Sequence, residues 1–473
     1  MPVSEQVNDI DKALSELFEE MKSVKQTVSE QGTEINRLHR VIVQKDETIH
    51  DLKRELSKYE EPPKDSHNSS TPPSKESIKA QALRSTRSLR EKSDKPTGGQ
   101  KGHKGHTLEL ATPDRIEEHQ PHYCTRCGND ISHVEGSIVE ARQSIDIPLP
   151  ISPIVTEHRA ISKKCSCGHC NRIEFPKTVR SSISYGSNTR ALVAYLSNVQ
   201  HLPYKRLTEL LSNCFGITMS QGTVCNILQD MKQQSQSAYD RIHSGIEQAK
   251  VVGADETGEN INGKLHWMWV WQTRNLTYIH SDKSRGKLAI DKQFKGGLPK
   301  ATLVTDRHAS YFNMEVKDHQ LCLAHLLREL TYLSELDTSQ TWSLQMGKIL
   351  RQAIHKRKTE VWEHINRQSI LERFANLLAA ATNHLHQKII ALHKSLIKHK
   401  ENVFRFLFDP DIPYENNASE RAVRPLKVKQ KVSGLFRSNQ GADAFCQLHS
   451  ITETAKKNNQ NPFSALIAVA NNI

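Results

Sequence analysis

Three acidic residues from distant parts of the chain have types and local settings that suit metal binding: Asp255, Asp306 and Glu420. Carboxylate oxygens are the ligands that hard cations such as Mg²⁺ take, and Mg²⁺ keeps positions free for water and phosphate. Two such ions about 3.5 to 4 Å apart can activate an incoming oxygen and stabilise a leaving oxygen at a phosphodiester. If the three side chains converge, we expect metal-dependent phosphodiester chemistry.

Each aspartate is predicted to follow a short buried strand. The apolar residues before Asp255 predict a strand that ends there, and Gly258 predicts a turn just beyond it. Leu303 and Val304 predict a second strand that delivers Asp306 to the start of a loop. A strand end beside a turn exposes a carboxylate without burying it unpaired.

The glutamate is predicted to lie on a helix. Pro413 and the asparagines after it break the chain, and Asn417 or Ser419 can cap a helix that carries Glu420 in its first turn. Three other acids lie close to these residues in the sequence: Glu256, Glu259 and Glu415. Residue type alone does not decide which of the acids bind metal.

Five sequence blocks carry a family resemblance: GGQKGHKGHTL (98–108), GADETGENINGKLHWMWVW (253–271), TDRHASY (305–311), CLAHLLREL (322–330) and ENNASERAVRPLKVKQKVSGLFRSNQGADAF (415–445). They resemble, in the same order, the signature blocks of the insertion sequence 66 family of bacterial transposases. The resemblance implies an Asp-Asp-Glu triad on a ribonuclease H-like fold, with Mg²⁺ or Mn²⁺ as cofactor. By motif, the triad maps onto Asp255, Asp306 and Glu420, and Cys322 and His325 become structural support near the site.

The resemblance also implies a function. A DNA transposase binds the terminal inverted repeats of its element, exposes 3′-hydroxyls there and joins them to target DNA. Companion proteins of the same element are expected partners, and the bacterial cytoplasm, at the nucleoid, is the expected location. Two alternatives remain open: a non-catalytic DNA-binding regulator derived from a transposase, and a structure-selective nuclease that cuts without joining.

The sequence predicts a multidomain α+β protein. We expect these segments: a coiled-coil oligomerisation helix (1–60), a flexible basic linker (61–115), a small zinc-binding β domain (116–180), a helix-turn-helix-like DNA-binding domain (181–248), the first part of a ribonuclease H-like α/β catalytic domain (249–333), a helical insertion (334–402), and the second part of the catalytic domain with C-terminal helices (403–473).

Five of the nine cysteines predict a zinc site: Cys124, Cys127, Cys165, Cys167 and Cys170. Two C-x-x-C pairs match a four-cysteine Zn²⁺ site, with Cys165 and Cys167 competing for the third ligand position. The segment between the pairs alternates like strands, so a hairpin is expected to bring them together. The start MPVSEQVNDIDK carries no apolar signal segment, so we expect a reducing compartment in which disulfides are not formed. We expect the remaining Cys214, Cys225 and Cys446 to lie in the core.

An uninterrupted heptad pattern from Ile10 to Tyr59 predicts a coiled coil, and therefore at least a homodimer. One series of this pattern is Leu14, Met21, Val28, Ile35, Ile42, Ile49 and Leu56, and Gln31 and Lys45 are polar members of the other series. The alternative is a single amphipathic helix folded onto the protein's own core.

Charge and helix patterns predict contacts with DNA. The net charge of +12 favours polyanionic partners, and no apolar run reaches the roughly 18 residues of a membrane helix. Three short helices between residues 188 and 235 resemble a helix-turn-helix with a recognition helix at 220–232, although helical hairpins are also common in cores. Basic residues without an intervening acid follow Glu420 and are expected at phosphates: Arg421, Arg424, Lys427, Lys429, Lys431 and Arg437.

Overall fold

The computed structural model describes residues 3–57, 62, 64, 65, 68, 69, 110–145, 151–167, 169–176 and 178–471. The described chain forms two compact units. The helical unit holds Val304–His308, Asp318–Asn416 and the described residues among the first 88. The sheet unit holds the described residues from 110 to Leu303, Ala309–Lys317 and the chain from Asn417 onwards.

The elements follow one another in this order. The helices are α1 Val3–Ser57, α2 Ser187–Ala194, α3 Tyr204–Phe215, α4 Gln221–Gln234, α5 Gln236–Glu247, α6 Lys287–Gln293, α7 Ala309–Phe312, α8 Leu323–Leu336, α9 Trp342–Thr359, α10 Arg367–Ala379, α11 Gln387–Lys398, α12 Asn417–Ser433, α13 Asn439–Lys457 and α14 Pro462–Asn471. The strands are β1 Ser162–Lys164, β2 Cys170–Arg172, β3 Val251–Ile261, β4 Lys264–Gln272, β5 Thr277–Asp282, β6 Leu298–Thr305 and β7 Val316–Leu321.

The main sheet has the strand order β5-β4-β3-β6-β7. Strands β3, β4 and β5 form an antiparallel meander, with Asp255 opposite Val270 in the β3–β4 register. The β3–β4 hairpin turns at Asn262 and Gly263, whose φ values of 50° and 76° match the two positive-φ positions of a type I′ turn. Asn-Gly is the strongest short hairpin signal, and it fixes where β3 ends.

The structure corrects the predicted end of the first strand. Strand β3 continues to Ile261, so Asp255 lies inside the strand and Gly258 is a strand residue. A Cβ on Gly258 would meet the Leu265 Cδ1 atom at 3.2 Å, so the glycine relieves a close cross-strand approach there. The second strand was predicted correctly, because β6 ends at Thr305 and Asp306 follows it directly.

Alternate residues of β3 enter two different cores of the sheet unit. Val252 and Ala254 join a core with Trp269 and Trp271 of β4. On the opposite face, Ile261 joins a second core that includes Met268, Val270, Ala422, Leu426 and Phe445. Because side chains alternate across a strand, Asp255 shares the face of this second core, which α12 and α13 cover.

Three predicted helices before the sheet are present as α2, α3 and α4. Gly216 ends α3 in a left-handed conformation with φ of 62°, and Ser220 caps α4 by accepting a hydrogen bond from the Thr223 backbone N–H at 3.0 Å. One side of α4 is buried and the opposite side exposes Gln221 and Asn226. The helices match the prediction, whereas DNA reading by α4 stays a prediction.

The helical unit packs α8, α9, α10 and α11 in sequence. Its core includes Trp342, which donates to the Leu377 carbonyl oxygen at 3.1 Å, and Phe374, whose ring lies edge-on to Phe404. The region predicted to be a helical insertion is indeed helical, but its second apolar stretch is broken between Ala379 and Gln387 into two helices. The apolar spacing continues across this break, so periodicity alone did not reveal it.

Two segments are less buried than the cores. Helix α1 is continuous and exposes the apolar residues whose side chains are described, from Leu17 to Leu52, while Tyr59 of the heptad pattern lies outside the described residues. The zinc-domain strand prediction is wrong for residues 141–145 and 151–161, where the structure has no strand. The two strands among the described residues of 116–180 form the short β1–β2 hairpin. None of the helices in the described part of the chain is long and apolar enough to cross a membrane.

Candidate active site

Helix α12 places Glu420 at the same end of the sheet as Asp255. The Gln272 side-chain amide donates to the Ser419 hydroxyl oxygen at 3.0 Å, and Gln272 pairs with Gly253 of β3. Two helical turns further on, the Lys427 ammonium donates to the Gly258 carbonyl oxygen at 3.0 Å. The helix therefore runs along β3 in the direction of the strand.

The spacings on helix and strand match. Glu420 and Lys427 lie on one helical face and are separated by about 10 Å along the helix axis. Asp255 and Gly258 are separated by about 10 Å along the strand. Because Lys427 reaches Gly258, the half-buried Glu420 lies level with the half-buried Asp255, on the face to which Asp255 points.

Ser419 does not cap α12. Its side chain is fully buried inside the first turn and accepts from Gln272, which is itself buried. The helix begins at Asn417, and Glu420 lies in its first turn as predicted.

The neighbouring acids have other surroundings. Glu256 lies on the opposite face of β3, where it pairs with Arg285 at 2.8 Å and accepts from the Tyr311 hydroxyl. Glu259 shares the face of Asp255 but is fully buried, and burial raises its pKa to about 7 while Lys427 opposes that rise. Glu415 precedes α12 and is not on the helix. Of the four glutamates, Glu420 is therefore the one that lies on α12, which packs against β3.

Asp306 belongs to the helical unit. Its Oδ1 atom accepts from the His308 backbone N–H at 2.9 Å, which holds the carboxylate at the start of the loop. It lines a cavity of about 550 Å³, and four basic side chains share the wall: Lys64, Arg307, Arg328 and Lys388. Arg307 is held by Ser395 at 2.8 Å and by Glu329. A carboxylate among cations in an open cavity suits a site that receives phosphate.

Part of the predicted linker is packed in this same unit. Asp65 and Asn68 exchange backbone-to-side-chain hydrogen bonds in a turn, and Asn68 donates to the Glu335 carboxylate at 2.7 Å. Asn68 is only 2% exposed, so this turn of the segment predicted as a flexible linker is buried. The Lys64 ammonium lies 5.5 Å from the Tyr332 ring centre.

Cys322 and His325 lie at the start of α8, one turn apart. Cys322 is buried, and its sulfur accepts from the Asn416 backbone N–H at 3.1 Å. Its own backbone N–H donates to the Thr305 carbonyl oxygen at 2.8 Å, directly before Asp306. Cys322 thus holds the end of β6, directly before Asp306.

The basic residues after Glu420 divide into two groups. Four are exposed: Arg421, Arg424, Lys431 and Arg437. Lys427 is half-buried and bonded to Gly258, while Lys429 is buried against the Phe445 ring and burial lowers its pKa to about 8. Lys427 and Lys429 are therefore held within the protein, whereas the other four side chains are open to solvent.

The predicted zinc ligands form two local turns. The Cys124 backbone N–H donates to the Asn129 carbonyl oxygen at 2.8 Å, and hydrogen bonds from the Cys127 and Arg126 backbones lower the pKa of the Cys124 thiol. In the second turn, the Cys165 N–H donates to the His169 carbonyl oxygen at 2.8 Å. The described structure does not gather three of the five sulfurs within 4.8 Å of one another.

All nine cysteines are described, and none is in a disulfide. Cys446 is buried as expected, while Cys214 and Cys225 are half-buried.

Comparisons with known proteins identify relatives. An uncharacterised protein, y4jD, of Sinorhizobium fredii is 23% identical over 435 residues, which cover 80% of this chain and 82% of the relative. A simian T-cell lymphotropic virus intasome in complex with PP2A regulatory subunit B56 gamma matches 42% of the chain at 11% identity, and its TM-score of 0.14 is too low to indicate a shared fold.

Two family models match the chain. Residues 20–109 match a family of unknown function, DUF6444. Residues 182–444 match the model of the IS66 transposase family, and they include β3, β6 and α12 with all three predicted acids. Since this match covers more than half of the chain, the protein belongs to the IS66 family of transposases, proteins that bind DNA and act on it.

Proposed function

We propose that the protein cuts the ends of its element and joins them to target DNA, using Asp255, Asp306 and Glu420 as carboxylate ligands for Mg²⁺ or Mn²⁺. The observation that carries the proposal is the common position of Asp255 and Glu420 on the α12-covered face of the sheet. The strand order, with a meander followed by β6 and β7, is that of a ribonuclease H-like sheet and supports the assignment.

The donor set fits the metal. Asp255 and Glu420 are half-buried carboxylates on one face, and Asp306 begins a loop beside a cavity rich in cations. A bound pair of divalent ions would activate the attacking oxygen and stabilise the leaving oxygen. The protein's own groups orient the DNA: the exposed Arg421, Arg424 and Lys431 share one side of α12, where they can pair with phosphates.

The test is a cleavage assay with labelled element ends and Mg²⁺. We expect Asp255→Ala and Asp306→Ala, and the near-isosteric Glu420→Gln, to abolish nicking while binding of the ends persists. Glu415→Gln is the matched control, because it removes an acid from the same sequence block, and it should cut at the wild-type rate. Cleavage retained in Asp255→Ala would remove that residue from the site.

The same assay separates the alternatives. A regulator derived from a transposase would shift labelled DNA without nicking it. A structure-selective nuclease would nick DNA and never produce joined products. We expect both nicked and joined products from the wild-type protein.

We further propose that α1 pairs two protomers as a parallel coiled coil, so that two ends can react together. The apolar heptad residues from Leu17 to Leu52 whose side chains are described are exposed, with Ile35 at 62% and Ile42 at 57%. Burial between two copies would remove this apolar surface from water. In sedimentation experiments, Ile42→Asp should dissociate the dimer. Val43→Asp, one residue outside the heptad series, should not; equal behaviour of the two would contradict the coiled coil.

We also propose that Zn²⁺ is held by Cys124, Cys127, Cys170 and either Cys165 or Cys167, and that this segment and α2–α4 bind the ends. The two turns present thiols in C-x-x-C spacing, which suits a tetrahedral ion. Apolar side chains of this segment are exposed, and Val139, for example, is 95% exposed. Such exposure supports the proposal that the segment packs more tightly when it binds a metal or a partner.

A further inference from the structure

Beside Glu420, a buried chain of hydrogen bonds connects three elements of the sheet unit. The Lys457 ammonium, at the end of α13, donates to the Gln272 side-chain oxygen at 2.7 Å. The Gln272 side-chain nitrogen donates to the Ser419 hydroxyl oxygen at 3.0 Å. Gln272 and Ser419 are 5% and 0% exposed, so water does not compete for these bonds.

The direction of this chain is fixed by chemistry. A lysine ammonium has only donors, so it must face the amide oxygen of Gln272. The amide nitrogen is thereby directed to Ser419, the residue directly before Glu420. Lys457 is itself held by the carbonyl oxygens of Thr273 and Leu276, at 2.9 and 2.7 Å, just beyond the end of β4.

The chain anchors the first turn of α12, where a helix would otherwise be free to fray. The Lys427 bond to Gly258 is a second anchor two turns away, so the helix is fixed at two points along the sheet. Glu420 lies between these anchors, close to the first.

From these contacts we infer that Lys457, Gln272 and Ser419 are positioning residues that set the place of the Glu420 carboxylate relative to Asp255. The inference rests on the proposed function, since it gives Glu420 a metal to hold. Loss of a group that orients a metal ligand weakens metal binding without removing the ligand, and such losses are about 10- to 100-fold.

The experiment measures cleavage by the full-length protein as a function of Mg²⁺ concentration. Ser419→Ala and Gln272→Met should each raise the Mg²⁺ concentration for half-maximal cleavage by about 10-fold. Cleavage at saturating Mg²⁺ and binding of the DNA ends should stay near wild type. The double variant should be no worse than the single variants, because both break the same bond.

Two controls keep the result interpretable. Ser438→Ala removes the cap of α13, so it reports general helix loosening and should leave the Mg²⁺ midpoint unchanged. Thermal unfolding of each variant shows whether the protein is folded, and Lys457→Met weakens the chain from its other end if Gln272→Met fails to fold. Wild-type midpoints in folded Ser419→Ala and Lys457→Met would overturn the inference, and so would additive effects in the double variant. Activity retained in Asp255→Ala would instead overturn the proposed function.

Discussion

The second core of the sheet unit and the cysteine segment at 110–176 use apolar residues in opposite ways. Leu426 of α12 and Val270 of β4 belong to the same core and are both fully buried. In the cysteine segment, Val139 and Ile154 are 95% and 96% exposed. Burial of apolar area is what fixes an element in place, so α12 is fixed against the sheet, whereas the cysteine segment has less buried apolar area to fix it.

The largest expected effect follows from metal removal in the cysteine segment. If Zn²⁺ orders this segment, its binding contributes about 10 kcal/mol or more to local folding. Chelation, or the Cys127→Ser substitution, should make residues 110–176 sensitive to protease, while the sheet unit's tryptophan fluorescence stays unchanged. Metal analysis should find one Zn²⁺ per chain before chelation. Equal protease resistance of residues 110–176 with and without metal would contradict the proposal that this segment, unlike the sheet core, needs Zn²⁺ for its order.

A smaller effect compares one residue from each region. Leu426→Ala should lower the free energy of unfolding by about 3 kcal/mol, because it opens a cavity in a closed core. Val139→Ala should change it by less than about 0.5 kcal/mol, since little apolar area is lost at an exposed position. Denaturant unfolding, followed by the fluorescence of Trp269 and Trp271, measures both. A similar loss in the two variants would show that the cysteine segment also has a core.

A third effect, which appears only as the pH is lowered, concerns a buried histidine in the sheet unit. Burial lowers the pKa of His449 to about 4, with Glu453 opposing and His201 and Lys456 assisting the decrease. Below about pH 6.5 the His449 imidazole binds a proton in the unfolded chain but not in the folded chain. The contribution of His449 to the free energy of unfolding is therefore complete above pH 6.5 and is lost as the pH falls towards 4. Unfolding measured from pH 8 to 4.5 should show this decline.

The matching variant tests the cause. His449→Leu removes the titrating group and should flatten the dependence of stability on pH. His201 titrates in the same direction, with a pKa also lowered to about 4 by burial and Lys429, so part of the slope should remain. An unchanged slope in His449→Leu would exclude His449 as a cause.

Much of the site could be predicted because its signals are local. The apolar run before Asp306 and the helix-breaking residues before Glu420 identified a strand end and a helix start that the structure shows. The end of β3 differs from the prediction because Gly258, which predicts a turn, lies inside the strand, and Asn262 and Gly263 carry the stronger hairpin signal.

Other features depend on contacts that no local pattern reveals. Lys429 looked like one more cation in a basic run, but the ring of Phe445 from the next helix buries it. Ser419 is typical of a helix cap, but it lies inside the first turn of α12, where its hydroxyl oxygen accepts from Gln272, far away in the sequence. In both residues tertiary packing overrides a correct local preference.

The order of the chain has a consequence for synthesis. The meander β3–β5 is complete at Asp282, but the helix that covers its acidic face starts only at Asn417. At ribosomal rates, the residues between Asp282 and Asn417 take on the order of ten seconds to be synthesised, and this face of the sheet stays uncovered during that time. A nascent chain or a truncated product therefore lacks Glu420 and leaves Met268 and Val270 uncovered. Such a fragment would be prone to aggregate, and under the proposed function it would also lack one of the three metal-binding carboxylates.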